Sequence, residues 1–196
     1  MSESSKEYDR QLVHSAKAGA TTAFGKLVKK YQKKVFYLAY DLVGDYEDAR
    51  DVAQEAFIKS FEKLNQFEER AQFSTWLYRI TVNLAMDLHR RRKRRPHDSL
   101  DDNIREIEKQ KMSEQHEEGR RSEKQMQTRV QREQLESALQ KLSEHQRVAA
   151  VLKYFHQKTS KEIAEVLGCS ENTARIHLFR ALRNLKKHLH GWQESL

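Results

Sequence analysis

The sequence predicts an all-α protein of two small helical domains joined by a charged linker. Three observations carry that expectation. One proline and six glycines in 196 residues leave long stretches with nothing to break a helix. Apolar residues recur at three- and four-residue spacing in both halves, and no run alternates Val, Ile and Thr as a half-buried strand would. Charge is uneven: residues 1–95 hold 19 Lys and Arg against 13 Asp and Glu, 96–129 hold 7 against 9, and 130–196 hold 11 against 7. Two basic ends flank an acidic middle.

In the first domain, residues 1–95, Leu12, Val13 and Ala16 mark a short opening helix. Thr21-Thr22 offers a cap to a longer one, whose Phe24, Leu27, Val28, Tyr31, Val35, Leu38, Ala39 and Leu42 form a stripe ending at Gly44. A third helix runs from Asp48 to Leu64 with Ala49, Val52, Ala53, Ala56, Phe57, Phe61 and Leu64 as its apolar series. Asp51, Gln54, Glu55, Ile58 and Lys59 are left outside, an acidic-amide patch that a merely solvated face also explains. The fourth helix, Ser74 to about Arg95, turns Leu77, Ile80, Thr81, Leu84, Ala85 and Leu88 inward. Arg79, Asn83, Met86 and Arg90 then point outward, with Trp76 and Asp87 on the flank.

Arg90, Arg91, Arg92, Lys93, Arg94 and Arg95 close that helix without interruption. Cations at a helix C-terminus complement its dipole and can line a phosphate track. Ahead of it, the polar loop Asn65 to Phe73 is interrupted by Phe67 and Phe73, and Trp76 and Tyr78 follow. Aromatics beside a basic helix suit unstacked bases; they equally suit a small core in need of anchors.

Residues 96–129 hold only Leu100, Ile104, Ile107, Met112 and Met126 as large apolar side chains, too few to offset the entropy of ordering them. A linker is expected, with one long charged helix from Asp101 to Arg129 as the alternative. In the second domain, residues 130–196, Tyr154 to Leu189 has the pattern of a helix-turn-helix. Lys161 to Leu167 places Ile163, Ala164 and Leu167 at core spacing, Gly168 stops that helix, and Ser170 caps the next. On the second helix Ala174, Leu178, Ala181, Leu182, Leu185 and Leu189 form one stripe. Asn172, Ile176, Phe179, Arg180 and Arg183 gather opposite it. Arginine for guanine or phosphate, a short amide for adenine, and Ile or Phe for a thymine methyl are what major-groove readout demands. The bland alternative is a helical hairpin with stray surface hydrophobes.

The formal net charge of +8 suits a polyanionic partner, although an acidic protein or membrane would also attract it. One cysteine excludes an intrachain disulfide, and the N-terminus Met1 to Ser5 has no apolar signal region, so a cytoplasmic protein without membrane insertion of its own is expected. Nine histidines raise the question of a metal enzyme. There is no His-Glu-x-x-His, no Cys-x-x-Cys, no phosphate-cradling glycine loop and no Gly-x-Ser-x-Gly. No catalytic residue, cofactor or metal is expected. Cys169 has the default role of a small buried thiol.

Three segments in order carry a family resemblance: Asp48 to Ile58 (DARDVAQEAFI), Phe73 to Asn83 (FSTWLYRITVN), and the helix-turn-helix ending Ala174 to Leu182 (ARIHLFRAL). Together they closely resemble the extracytoplasmic-function group of bacterial sigma-70 family sigma factors. That resemblance implies that residues 1–95 form region 2 and residues 130–196 form region 4. It gives Asp51, Gln54, Glu55 and Ile58 a partner, the clamp helices of the RNA polymerase beta-prime subunit; region 4 would meet the beta flap. Phe67, Arg70, Trp76, Arg79, Asn83 and Arg90 would handle melted minus-10 DNA, with the Phe67 loop and Asn83 holding a flipped base. Asn172, Thr173, Arg175, Ile176, Phe179, Arg180 and Arg183 would read the double-stranded minus-35 element. The linker would thread toward the polymerase active site, and Gln115 to Arg132 would be free to pair with a private regulator. An anti-sigma factor is implied by family alone. The rival is a one-component helix-turn-helix regulator that binds DNA without polymerase.

Overall fold

The structure, a computed structural model, describes residues 3–94 and 134–189. The 96–129 linker, its alternative Asp101–Arg129 helix and the Gln115–Arg132 segment lie outside the described residues. The described part is helical, with no strand. Four helices make the first domain: α1 (Glu3–Lys17), α2 (Thr21–Val43), α3 (Tyr46–Glu62) and α4 (Phe73–Arg94). In the second, α5 (134–140) precedes α6 (Glu144–Tyr154), α7 (Ser160–Leu167) and α8 (Glu171–Leu189).

The helix ends follow local chemistry, with two departures from the sequence pattern. No threonine caps α2; Ala20 occupies the cap position without a side-chain bond, and Thr21 is already helical. Gly44 ends α2 at φ +76, a left-handed stop in which its amide donates to the Tyr40 carbonyl at 2.8 Å. Asp45 then caps α3 by accepting from the Asp48 amide at 2.9 Å. This starts α3 two residues earlier than the apolar series suggested, since the cap, worth about 1 kcal/mol, and the first-turn acids Glu47 and Asp48 favour it.

Helix α2 is the spine of the first core, with Leu27, Tyr31, Val35, Leu38 and Ala39 fully buried. Against it α3 sets a face of small residues, Ala49, Val52, Ala53, Ala56 and Ser60, which lets the two backbones approach closely. Phe61 is consequently pushed to the rim, where its ring leans on Phe24 with centroids 4.9 Å apart. The buried hydroxyls of Ser60 and Thr81 donate to the Phe57 and Leu77 carbonyls at 2.9 and 3.0 Å, so neither is orphaned. Helix α1 is fastened by Asp9, a buried carboxylate that accepts from the Tyr31 hydroxyl and the Lys30 ammonium. Burial first, then the bond to Asp9, pushes the Tyr31 phenol well above its ordinary value and keeps it a donor.

In the second domain Val148, Ala149, Ala150, Val151 and Leu152 of α6 are all buried in succession. A run of five apolar residues, covering every side of the helix, gives no amphipathic signal in sequence. Helix α6 is covered on one side by α7 and α8 and on another by α2 of the first domain, while α7 packs on α4. The orientation expected for α4 is corrected at one position: Met86, read as outward, is only 7% exposed, and Tyr78 and Val82 are buried beside it. Leu182 is corrected in the other sense. It lies at the edge of the α8 stripe and remains 47% exposed.

Candidate nucleic-acid interface

Helix α3 carries its outer face because its inner face is fixed by Ala49, Val52, Ala53 and Ala56. Asp51, Gln54 and Ile58 are exposed and Glu55 is half-buried, at the spacing that puts all four on one face. Glu55 pairs with Lys59 at 3.2 Å, and Arg92 from the basic end of α4 pairs with Asp48 at the start of α3. The patch thus joins an exposed apolar side chain to carboxylates and an amide.

By sequence, the aromatics around the loop between α3 and α4 suit either unstacked bases or the anchoring of a small core. Phe67 is 5% exposed, its ring 4.9 Å from Trp76 and 6.0 Å from Phe73, centroid to centroid. It belongs to the core wall, since a small domain has few other anchors at this corner. Trp76 is half-buried beside it and Arg70 is exposed, held by Glu68 at 2.9 Å. Below the loop, a cavity of about 210 Å³ is walled by Asp9 and Arg10 of α1, by Arg70 and Gln72, and by Glu165 of α7. Arg79, Asn83 and Arg90 are exposed along α4. Arg90 meets Glu144 of α6 at 3.2 Å, and the Arg79 guanidinium rests on Gly168, where a Cβ would come within 3.3 Å of Nη2.

At the other end, the helix-turn-helix is locked by its own caps. Thr159 and Glu162 form a reciprocal capping box at the start of α7, and the Glu162 carboxyl is held below its ordinary value; burial opposes this, but Lys158 and the Thr159 amide and hydroxyl outweigh it. Gly168 stops α7 at φ +66, and Ser170 caps α8 by accepting from the Thr173 amide at 3.1 Å. Thr173 is therefore occupied in the cap, its hydroxyl 2.8 Å from that of Ser170. Asn172, Arg175, Ile176, Phe179, Arg180 and Arg183 are exposed along one side of α8, Phe179 at 66%. Leu182 extends that apolar row. On the inner side Asn184 donates to Gln146 at 2.9 Å, and the His145 and His177 rings stack 5.3 Å apart.

The structure thus gathers the α8 residues on one face and Arg79, Asn83 and Arg90 on another, and sets Phe67 apart in the core. Sequence reasoning missed Asp41 and His156, which pair at 2.9 Å between the domains, and the contact of the buried Tyr78 ring with the Lys158 ammonium, 5.2 Å away. Contacts across 115 positions leave no periodic signature. Among the described residues no helix is long and apolar enough to cross a membrane, and no group of three or more His, Cys, Asp or Glu is placed to hold a metal.

Residues 27–95 match the family model for sigma-70 region 2, and residues 122–185 match that for sigma-70 region 4. The chain is 36% identical to the RNA polymerase sigma-H factor of Pseudomonas aeruginosa, covering 93% of this chain and 94% of that one. It is 32% identical to the ECF RNA polymerase sigma factor SigW of Bacillus subtilis, covering 92% and 96%. Its fold is similar to that of CnrH in a structure with the cytosolic domain of CnrY, with a TM-score of 0.68, 26% identity, and 94% and 98% of the two chains covered. Similarity at this level over nearly the whole length places the chain in a family: it belongs to the extracytoplasmic-function group of sigma-70 RNA polymerase sigma factors.

Proposed function

We propose that this chain directs core RNA polymerase to promoters by dividing the task among three surfaces, with strand opening at the minus-10 element. Residues 1–95 dock the enzyme and handle the minus-10 element, 96–129 link, and 130–196 read the minus-35 element and meet the beta flap. The supporting observation is the outer side of α8. A cap-fixed helix that exposes an amide, arginines, Ile176 and Phe179 along one side carries both kinds of group that base reading requires, hydrogen-bonding for edges and apolar for a thymine methyl. Arg175, Ile176 and Phe179 would contact bases; Arg180 and Arg183 would meet phosphates, which position without specifying.

On α3, Asp51, Gln54, Glu55 and Ile58 would bind the beta-prime clamp helices. On α4, Arg79, Asn83 and Arg90 would follow the melted strand with Arg70 and Trp76 at the loop, Phe67 supporting the pocket from within. The chain itself performs no chemistry, since polymerase supplies catalysis, and work on polymerase places it in the cytoplasm. CnrH is seen with the cytosolic domain of CnrY; we infer that this chain too is held by a protein partner, the anti-sigma factor that its family implies. Run-off transcription with core polymerase over a promoter library is the test. Core-dependent initiation at a selected sequence is expected, whereas sequence-specific duplex binding unaffected by core would support the one-component regulator instead.

A further inference from the structure

The first domain carries an aromatic cluster that none of the surfaces assigned above uses. Phe36 of α2 is half-buried, and its ring meets Tyr37 at 5.6 Å, Tyr40 at 6.3 Å and Tyr46 of α3 at 5.1 Å, centroid to centroid. Tyr37 and Tyr46 remain 58% and 46% exposed. Large exposed aromatics gathered in one place mark a contact surface. We propose that its occupant is a segment of the same chain: residues 98–108 dock on the cluster in cis, so that the link between the domains begins only beyond them.

The course of the chain brings the segment there. Helix α4 ends at Arg94, and its Arg92 pairs with Asp48, two residues past Tyr46. The chain returns in α5, where the Gln140 amide nitrogen lies 3.5 Å from the place of a Cβ on Gly44, in the turn between Tyr40 and Tyr46. Residues 95–133, outside the described part, therefore start and finish at the corner that holds the cluster. Residues 95–99 span about 17 Å when extended, enough to pass round a helix and bring Leu100 to the rings.

The chemistry is complementary. Leu100, Ile104 and Ile107 stand four and three residues apart, the spacing of one helix side. Around them are Asp98, Asp101, Asp102, Glu106 and Glu108, with Arg105 the one base between residues 98 and 108. The rim of the cluster has the opposite sign. Lys29 and Lys33 are exposed on the side of α2 that continues to Tyr37, and Arg50 is exposed one turn past Tyr46. Arg50 pairs with Glu47, an exposed bond that another carboxylate can replace at little cost. Three apolar side chains are too few to order a free segment, but rings already fixed by α2 and α3 reduce what has to be ordered.

The test uses the full chain and the rate at which iodine modifies each tyrosine, resolved by peptide mass spectrometry. Leu100→Ser, Ile104→Ser and Ile107→Ser combined alter no residue of either helical domain. Tyr37 and Tyr46 should react about fivefold faster in that variant than in wild type, the factor for a cluster occupied about four-fifths of the time. Tyr8, 48% exposed on α1, serves as the internal reference and should keep its rate. Met112→Ser with Met126→Ser, which changes the linker beyond the segment, should behave as wild type. Concentrated salt should move wild type toward the triple variant, because the rim charges are exposed. Equal Tyr37 and Tyr46 rates in wild type and the triple variant overturn the docking and leave the cluster to a separate protein. Protection that grows with protein concentration overturns it as well, since the occupant is then a second copy of the chain.

Discussion

Lys17, the last residue of α1, donates from its ammonium to the backbone carbonyl of Phe67 at 2.6 Å and stands 5.6 Å from the centre of that residue's ring. It also pairs with Glu69 at 3.4 Å, a residue whose backbone is held at φ +57. One cation thus clamps the middle of the α3–α4 loop, a bond of about 1.5 to 3 kcal/mol set against about 1 kcal/mol of strain at Glu69. Lys17→Met keeps the alkyl stem and loses the donor. It should lower the melting temperature by about 3 to 12 °C, expose the loop to limited proteolysis and slow open-complex formation, with Lys17→Arg close to wild type. Wild-type protease resistance in Lys17→Met would show that the loop holds itself.

Phe67 and Asn83 should part company in their effects. Phe67→Ala empties a site lined by Phe73 and Trp76 and is expected to cost about 3 kcal/mol or more of stability. Asn83 is exposed, so Asn83→Ala should stay within about 0.5 kcal/mol of wild type while reducing permanganate reactivity of the promoter bubble. Thermal melts beside footprints separate the two. An unstable Asn83→Ala, or a fully stable Phe67→Ala, would reverse these roles.

Period and punctuation made much of this molecule legible in its sequence. Gly44, Gly168 and Ser170 mark their helix ends because each stop or cap is a local event. The outer sides of α3 and α8 follow from their apolar stripes. What escaped depends on other parts of the chain. Val148 to Leu152 of α6 are buried in succession, so no period betrays that run, and Tyr78 is met by Lys158 and His156 of the second domain. Phe67 had two plausible fates, platform or anchor, and nothing local decides between them; its neighbours Phe73 and Trp76 do. The Asp45 cap went unread because an acid three residues before another acid looks like surface charge until the backbone turns.

Charge reversal on α3 tests docking apart from folding. Asp51 is exposed and Glu55 half-buried, with only the Glu55–Lys59 pair lost, an exposed pair worth under about 1 kcal/mol. Asp51→Lys with Glu55→Lys should therefore melt close to wild type yet fail to co-elute with core polymerase, and the defect should be in association, where complementary charge steers encounter. Co-elution at wild-type levels would remove this patch from the polymerase contact.

Acid should loosen the protein through two histidines. Burial first, then the charges of His145 and Arg180, hold His177 below its ordinary value, and its Nδ1 is buried with no hydrogen-bond partner. His89 is lowered in the same way, by burial and then by Arg147. Both rings favour the neutral form when folded, so the unfolded chain binds more protons once pH falls below about 6.5. Stability is full above that value and declines as pH drops toward the folded values. Melting temperature should fall between about pH 7.5 and 5.5, and His177→Gln should flatten that fall. An identical slope in the variant would show that His177 does not titrate in this range.

The outer side of α8 separates reading from mere adhesion. Loss of Arg180 or Arg183 should weaken binding to all sequences alike and flatten the salt dependence by about one unit per lost phosphate contact. Arg175, Ile176 and Phe179 should behave differently. Each Ala substitution is expected to change which minus-35 sequence is preferred, by about 1 to 3 kcal/mol at the base pair concerned. Arg175 is held ready by Glu171 at 2.6 Å, an exposed i,i+4 pair that a guanine edge can replace at little cost. Phe179 decides between two pictures of this helix. At 66% exposure it contributes little to the core, so Phe179→Ala should leave the melting temperature unchanged while shifting the sequences selected by holoenzyme from a randomised minus-35 library. A lowered melting temperature with an unchanged preferred sequence would show the ring folding back toward Leu182, and the reading face would then narrow to Arg175, Ile176 and Asn172.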